Sequence, residues 1–189
     1  MKNKPILLVA GEPNSIFLEI FFKEIKKNIY KSPLILICSK DDLELEIKNF
    51  KLRKKINVLK LSELKKYKLN NKKINIIDVN RKLSSNQKSS SQLDIIYINQ
   101  CFDIAFKLIK NGFTSKFING PINKKLFLNK KFLGITEYIA NIFKHKKVGM
   151  LIYNKELSVC PITTHLPISL VAKKITKKLI LEKIIIINT

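Results

Sequence analysis

"PILLVAGEPNSIFLEIFFKEIKKNIYKSPLILICS", residues 5 to 39, holds two short apolar runs on either side of a stretch with helical spacing. The first run, Pro5 to Ala10, is apolar without alternation and is closed by Gly11. That pattern predicts a strand buried on both faces. Apolar residues then recur at helical intervals as far as Tyr30, with Asn14 or Ser15 placed to cap the helix. The second run, Pro33 to Ser39, predicts another buried strand, and Asp41 and Asp42 behind it suit the positive end of a short helix. Strand, helix and buried strand in succession form the unit of a parallel sheet.

The rest of the chain extends this pattern. "INVLKL" (56–61) and "INIIDV" (74–79) read as further strands, and "KLSSNQKSSSQ" (82–92) as a mobile polar loop. A long amphipathic helix is expected from Leu93 to Lys110, ending at Asn111 and Gly112. After it come a strand at 116–120, helical turns from Ile122 and a helix from Thr136. Strands near 147–154 and 157–162 follow, then helices near 167–174 and 177–187. The fold class is therefore α/β, with a largely parallel sheet covered on both faces. Ligands in such sheets gather beyond the carboxyl ends of strands. Gly11 to Ser15, Asn119 to Lys124 and His165 are all expected there. The final helix has nothing after it to cover it, so the chain is expected to stop inside a larger fold.

Composition narrows the function. The formal charge is +23, yet arginine occurs only at Arg53 and Arg81. Phosphate and base recognition leans on arginine's planar fork, and no interleaved aromatics suggest a stacking surface. A basic nucleic-acid-binding protein is thus the weaker alternative. The three cysteines, Cys38, Cys101 and Cys160, lie far apart without metal-ligand spacing and read as buried free thiols. No apolar run reaches membrane-spanning length, and the expected location is cytoplasmic.

Three segments could carry chemistry. "FINGPINKKLF" (117–127) brings Asn123 and Lys124 into a helix start behind the turn Gly120-Pro121, a possible phosphate seat. "FLGITEYIA" (132–140) puts Thr136 where its hydroxyl can cap a helix or meet a ligand, with capping favoured, and Glu137 in the first turn. In "PITTHLP" (161–167), Pro167 keeps Leu166 extended and leaves His165 near a strand end as metal ligand, base or packed corner residue. The other histidine, His145, sits in a basic run and reads as solvated surface.

Taken together, "GEP" after the first strand, "NGPINK" after the long helix, "GITEY" and "PITTHLP" resemble, in order and spacing, the N-terminal part of the 4-hydroxythreonine-4-phosphate dehydrogenase family of vitamin B6 biosynthesis. The resemblance covers the whole chain and a little over half of a family member. It implies α/β/α layers of the isocitrate/isopropylmalate dehydrogenase-like type, C-terminally truncated, with residues 1–189 as the N-terminal portion and the second half missing. It also implies oxidation and decarboxylation of 4-phosphooxy-L-threonine by a homodimer using NAD or NADP. A divalent metal (zinc, magnesium or cobalt) would be held by three histidines, of which His165 matches the first. Thr136 matches a substrate-contacting threonine, whose usual histidine neighbour is Ile135 here. The first loop keeps Gly11, Glu12, Pro13, Ile16 and Glu19 and lacks the family's later glycines. A sister activity on another phosphorylated hydroxy acid, such as threonate 4-phosphate, fits the same residues. The 189 residues alone are expected to be inactive.

Overall fold

The computed structural model describes residues 3–82, 87–128, 131–145 and 147–188. The chain divides into two compact units, residues 1–123 and 124–189.

The first unit is a five-stranded parallel sheet. Its strands are β1 (Ile6–Val9), β2 (Leu34–Cys38), β3 (Ile56–Val58), β4 (Ile74–Asp78) and β5 (Lys116–Asn119), in the spatial order β3-β4-β2-β1-β5. The apolar runs behave as expected. All five residues of β2 are buried, as are three of four in β1 and four of five in β4, whereas β3 and β5 form the partly exposed edges. One face carries α1 (Phe17–Lys26) and α2 (Lys40–Asn49), whose Phe21, Phe22, Ile25 and Leu43 pack with Leu8, Leu36 and Ile76. The other face carries α3 (Gln87–Lys110), which crosses β1 and β2 and builds a three-ring cluster from Phe102, Phe106 and Phe117. Strand alternation sends Leu7, Val9, Ile35 and Ile37, all fully buried, to this second face. The result is the predicted α/β/α layering.

Local signals explain most boundaries. Ser39 caps α2 through its hydroxyl, which accepts the Asp42 N–H at 3.2 Å. Helix α3 ends in a Schellman turn, in which the Gly112 N–H donates to Ile109 and the Phe113 N–H to Leu108. Gly112 has φ +71, which glycine adopts without a Cβ penalty.

Two expectations for this unit need correction. Asn14 and Ser15 do not cap α1: the capping position is Ile16, without a side-chain hydrogen bond, and Asn14 sits at φ +59 in the preceding turn. The serine-rich segment expected as a loop is helical from Gln87, while residues 83–86 of it lie outside the described residues.

The second unit contains α4 (Lys124–Phe127), α5 (Ile135–Ile142), α6 (Ile168–Lys174) and α7 (Lys177–Ile187). Thr176 caps α7, its hydroxyl accepting the Leu179 N–H. The two strands expected near 147–162 reduce to a single antiparallel bridge between Ile152 and Val159. Of the cysteines, Cys38 and Cys101 are buried, but Cys160 is half-buried rather than enclosed. Among the described residues, no helix is long and apolar enough to cross a membrane.

Candidate functional site

The carboxyl ends of β1 and β5 meet through two glycine-containing turns. Gly11, at φ +80, approaches the second turn so closely that an added Cβ would fall 2.3 Å from the Pro121 carbonyl oxygen. A Cβ on Gly120 would fall 2.1 Å from the Ala10 oxygen. Neither position can hold a larger residue without moving backbone. The approach is fixed by hydrogen bonds from the Gly120 N–H to Val9 at 2.7 Å and from the Glu12 N–H to Pro121 at 2.8 Å. "GEP" and "NGP", whose glycines are 109 residues apart in the chain, thus form one interlocked rim.

Beside this rim, between the β1–α1 turn and α2, lies a cleft of about 480 Å³. Glu12, Glu19, Asp42 and Glu46 all line it, and no lysine or arginine does. In a chain of charge +23 this is a local reversal of sign. Lys23 pairs with Glu19 at 2.6 Å and Arg81 with Asp42 at 2.8 Å, but the remaining carboxylates still oppose an incoming phosphate. The cleft therefore suits a neutral or cationic group better than an anion. Its acids do not converge on a metal: among the described residues, no group of three or more His, Cys, Asp and Glu side chains could hold an ion.

Below the cleft lie Cys38, Cys101 and Tyr97. Burial first, and then the neighbouring thiols, push the Tyr97 phenol well above its ordinary pKa. Its oxygen instead accepts the Ser39 N–H at 2.8 Å. Burial pushes the Cys101 thiol up to about 12, with the Tyr97 hydrogen bond working against it, and raises Cys38 as well. These thiols stay protonated near neutral pH and are poor nucleophiles.

Of the predicted phosphate seat, Asn123 is the last residue of the first unit and Lys124 the first of the second. Both are exposed. The helix they enter, α4, is a single turn and has little dipole to offer an anion, so Lys124 itself carries the positive charge there.

Thr136 is half-buried and is not the cap of α5. That position belongs to Gly134, which is extended and makes no side-chain hydrogen bond. Thr136 is the second residue of the helix, and its hydroxyl makes no hydrogen bond to another described residue. Glu137 lies in the first turn, as expected from the dipole. The capping role favoured from sequence is thus replaced by an uncommitted hydroxyl.

His165 is exposed and has φ +57, in a turn after the isolated bridge and not at the end of a sheet strand. Pro167 lies at the capping position of α6. By itself His165 does not fit a metal site, since the described residues bring no second or third ligand to it. His145 is exposed, as predicted, and its N–H closes the C-terminal turn of α5 on Ala140. Sequence reasoning missed the acidic cleft, because Glu12, Glu19, Asp42 and Glu46 lie on three separate elements and share no motif.

Comparison with known proteins gives this geometry a family. A 4-hydroxythreonine-4-phosphate dehydrogenase from Sulfurihydrogenibium sp. (strain YO3AOP1) is 28% identical over 195 aligned residues, covering 97% of this chain and 56% of the relative. The enzyme of that name from Wigglesworthia glossinidia brevipalpis is 26% identical, covering 96% and 55%. The chain therefore spans about half the length of the curated relatives it matches. Crystal structures of 4-hydroxythreonine-4-phosphate dehydrogenases from Burkholderia phymatum and Klebsiella pneumoniae both superpose with a TM-score of 0.75, at 19% and 20% identity. They cover 96% and 98% of this chain, and the matched part is 56% and 57% of theirs, which establishes the shared fold. The model of the family "Pyridoxal phosphate biosynthetic protein PdxA" matches residues 30–189, and the chain belongs to that family.

Proposed function

We propose that this chain forms the N-terminal part of a cytoplasmic, homodimeric dehydrogenase that oxidises 4-phosphooxy-L-threonine with NAD or NADP and decarboxylates the product, in pyridoxal phosphate biosynthesis. The observation that carries this reading is the family match over residues 30–189, which includes the "NGPINK", "GITEY" and "PITTHLP" segments. In this reading Lys124 supplies the positive charge for the substrate phosphate, and Asn123 contributes a neutral polar side chain. Thr136, with an uncommitted hydroxyl near the start of α5, hydrogen-bonds the substrate and fixes its orientation. His165 contributes one imidazole to a divalent-metal site whose other ligands lie outside the described residues.

A nicotinamide cofactor would accept hydride from the substrate alcohol. The acidic cleft offers no basic group for its pyrophosphate, and in this reading Asn123, Lys124 and Thr136 bind and orient the substrate. Relatives almost twice as long carry the named activity, so residues 1–189 alone are expected to produce no reduced nicotinamide.

Calorimetric titration with 4-phosphooxy-L-threonine, with threonate 4-phosphate and with unphosphorylated 4-hydroxythreonine tests the assignment. The phosphorylated amino acid should bind best, Lys124→Ala should erase its advantage over the unphosphorylated compound, and Thr136→Val should weaken binding by roughly 1 kcal/mol. Preference for threonate 4-phosphate would move the reading to the sister activity. Equal binding of all three would remove it. Turnover by these residues that disappears in His165→Ala would refute the expected inactivity.

A further inference from the structure

Asp42 of α2 and Tyr97, the one α3 residue that lines the acidic cleft, belong to helices that a single arginine joins. The Arg81 side chain is only 10% exposed. Its Nε lies 2.8 Å from Asp42 Oδ2 and its Nη2 donates to Asp42 Oδ1 at 3.1 Å, while Nη1 donates to Asp94 Oδ1 at 3.1 Å. Asp42 is in the first turn of α2, and Asp94 is one turn before Tyr97 on α3. Tyr97 returns to α2 by accepting the Ser39 N–H, and Ser39 closes the circuit by capping the Asp42 N–H. Arg81, Asp42, Ser39, Tyr97 and Asp94 therefore form a ring beside the cleft, closed between Asp94 and Tyr97 by one turn of α3.

Alternatives within the same ring explain less. The start of α2 does not need Arg81 to satisfy its backbone, because the Ser39, Lys40 and Asp42 N–H groups already have Tyr97, Asp78 and Ser39 as partners. Nor does it need Arg81 to form, since Ser39 and the acidic first turn supply the usual N-terminal signals. What the guanidinium adds is a fork whose Nη2 hydrogen-bonds Asp42 and whose Nη1 hydrogen-bonds Asp94, while Nε lies beside the Asp42 carboxylate without a hydrogen bond. Burial works against its charge, but the hydrogen bonds and charges of Asp42 and Asp94 outweigh that cost and keep it protonated.

We infer that Arg81 is the positioning residue of the cleft, coupling α2 to α3 so that the placement of Asp42 and Tyr97 in its lining is set by one side chain. This does not depend on the substrate assigned above. Lysine could not replace the arginine, since a single ammonium cannot reproduce the fork.

The test is hydrogen exchange on the full chain, read by mass spectrometry, in Asp94→Ala and Arg81→Met, with Asp103→Ala as a control that removes an exposed α3 acid outside the ring. Alanine favours helix, so Asp94→Ala does not weaken α3 through propensity. If the two helices are coupled, Asp94→Ala should speed exchange of the Ser39 to Leu43 amides, on the other helix, by roughly ten-fold relative to the β1 and β2 amides. Arg81→Met should do the same, and Asp103→Ala should not. The inference is overturned if Asp94→Ala affects only residues 92–98, if the control matches it, or if no amide changes. Because Asp94→Ala keeps Arg81 and its grip on Asp42, it remains decisive should Arg81→Met fail to fold.

Discussion

Two glycines show how differently the same residue type can matter. Gly120 lies where the backbones of two strand ends pass within a methyl group of each other, and Gly112 ends α3 with nothing within 4 Å of where its Cβ would be. Gly120→Ala must move backbone and should cost at least about 2 kcal/mol. Gly112→Ala meets only the left-handed penalty, about 1 kcal/mol. Urea unfolding should rank them in that order, and equal midpoints would mean that the rim gives way more easily than its hydrogen bonds suggest. The rim's residues were legible as motifs, "GEP" and "NGP", but their contact was not. A glycine in sequence announces a turn without saying what approaches it. Thr136 and His165 were equally visible as residue types. Their environments, an unpaired hydroxyl inside a helix and an exposed left-handed turn, depend on backbone geometry that no local pattern encodes.

Helix ends carry the next prediction. Helices α2 and α5 finish in Schellman turns like that of α3, but with Lys51 and Lys144 in the left-handed position, at φ +48 and +55. Lysine is strained there and glycine is not. Lys51→Gly should therefore stabilise the first unit by about 0.5 kcal/mol, after glycine's greater unfolded-chain entropy is set against the relieved strain. A lower unfolding midpoint in Lys51→Gly would count against this reading of the turn. The same comparison explains what sequence patterns conveyed about elements. Strands buried on both faces were readable because β1, β2 and β4 are short, continuous apolar runs, and the end of α3 because glycine marks it. The ends of α2 and α5 were obscure because lysine is no stop signal. The start of α3 was misread because serine-rich composition mimics a loop, although one amphipathic helix continues through it. Strands near 150 and 160 failed for the opposite reason. Their apolar residues are real but stay exposed, so the pattern had no core to serve.

At the scale of the whole molecule, burial is distributed very unevenly. The first unit holds nearly all of the core, whereas among the described residues of the second only Phe127, Leu128 and Gly134 are buried. Yet the second unit is rich in apolar side chains: Tyr153 and Leu157 are more than 70% exposed, Ile168 is 92% exposed, and Ile184 and Ile185 on α7 are 54% and 64% exposed. Apolar surface of that extent favours association, and helices with so few buried contacts open at low free-energy cost. Hydrogen exchange on the full chain should therefore show two regimes. Amides of β1, β2, β4 and the central part of α3 should exchange only with global unfolding, whereas those of α6 and α7 should exchange orders of magnitude faster. A dye that fluoresces on apolar surface should bind the native chain, and its signal should fall if the exposed side chains are made polar, as in Ile168→Ser together with Ile185→Ser. Equal protection in the two units, without dye binding, would mean that the apolar side chains of α6 and α7 are already covered in solution.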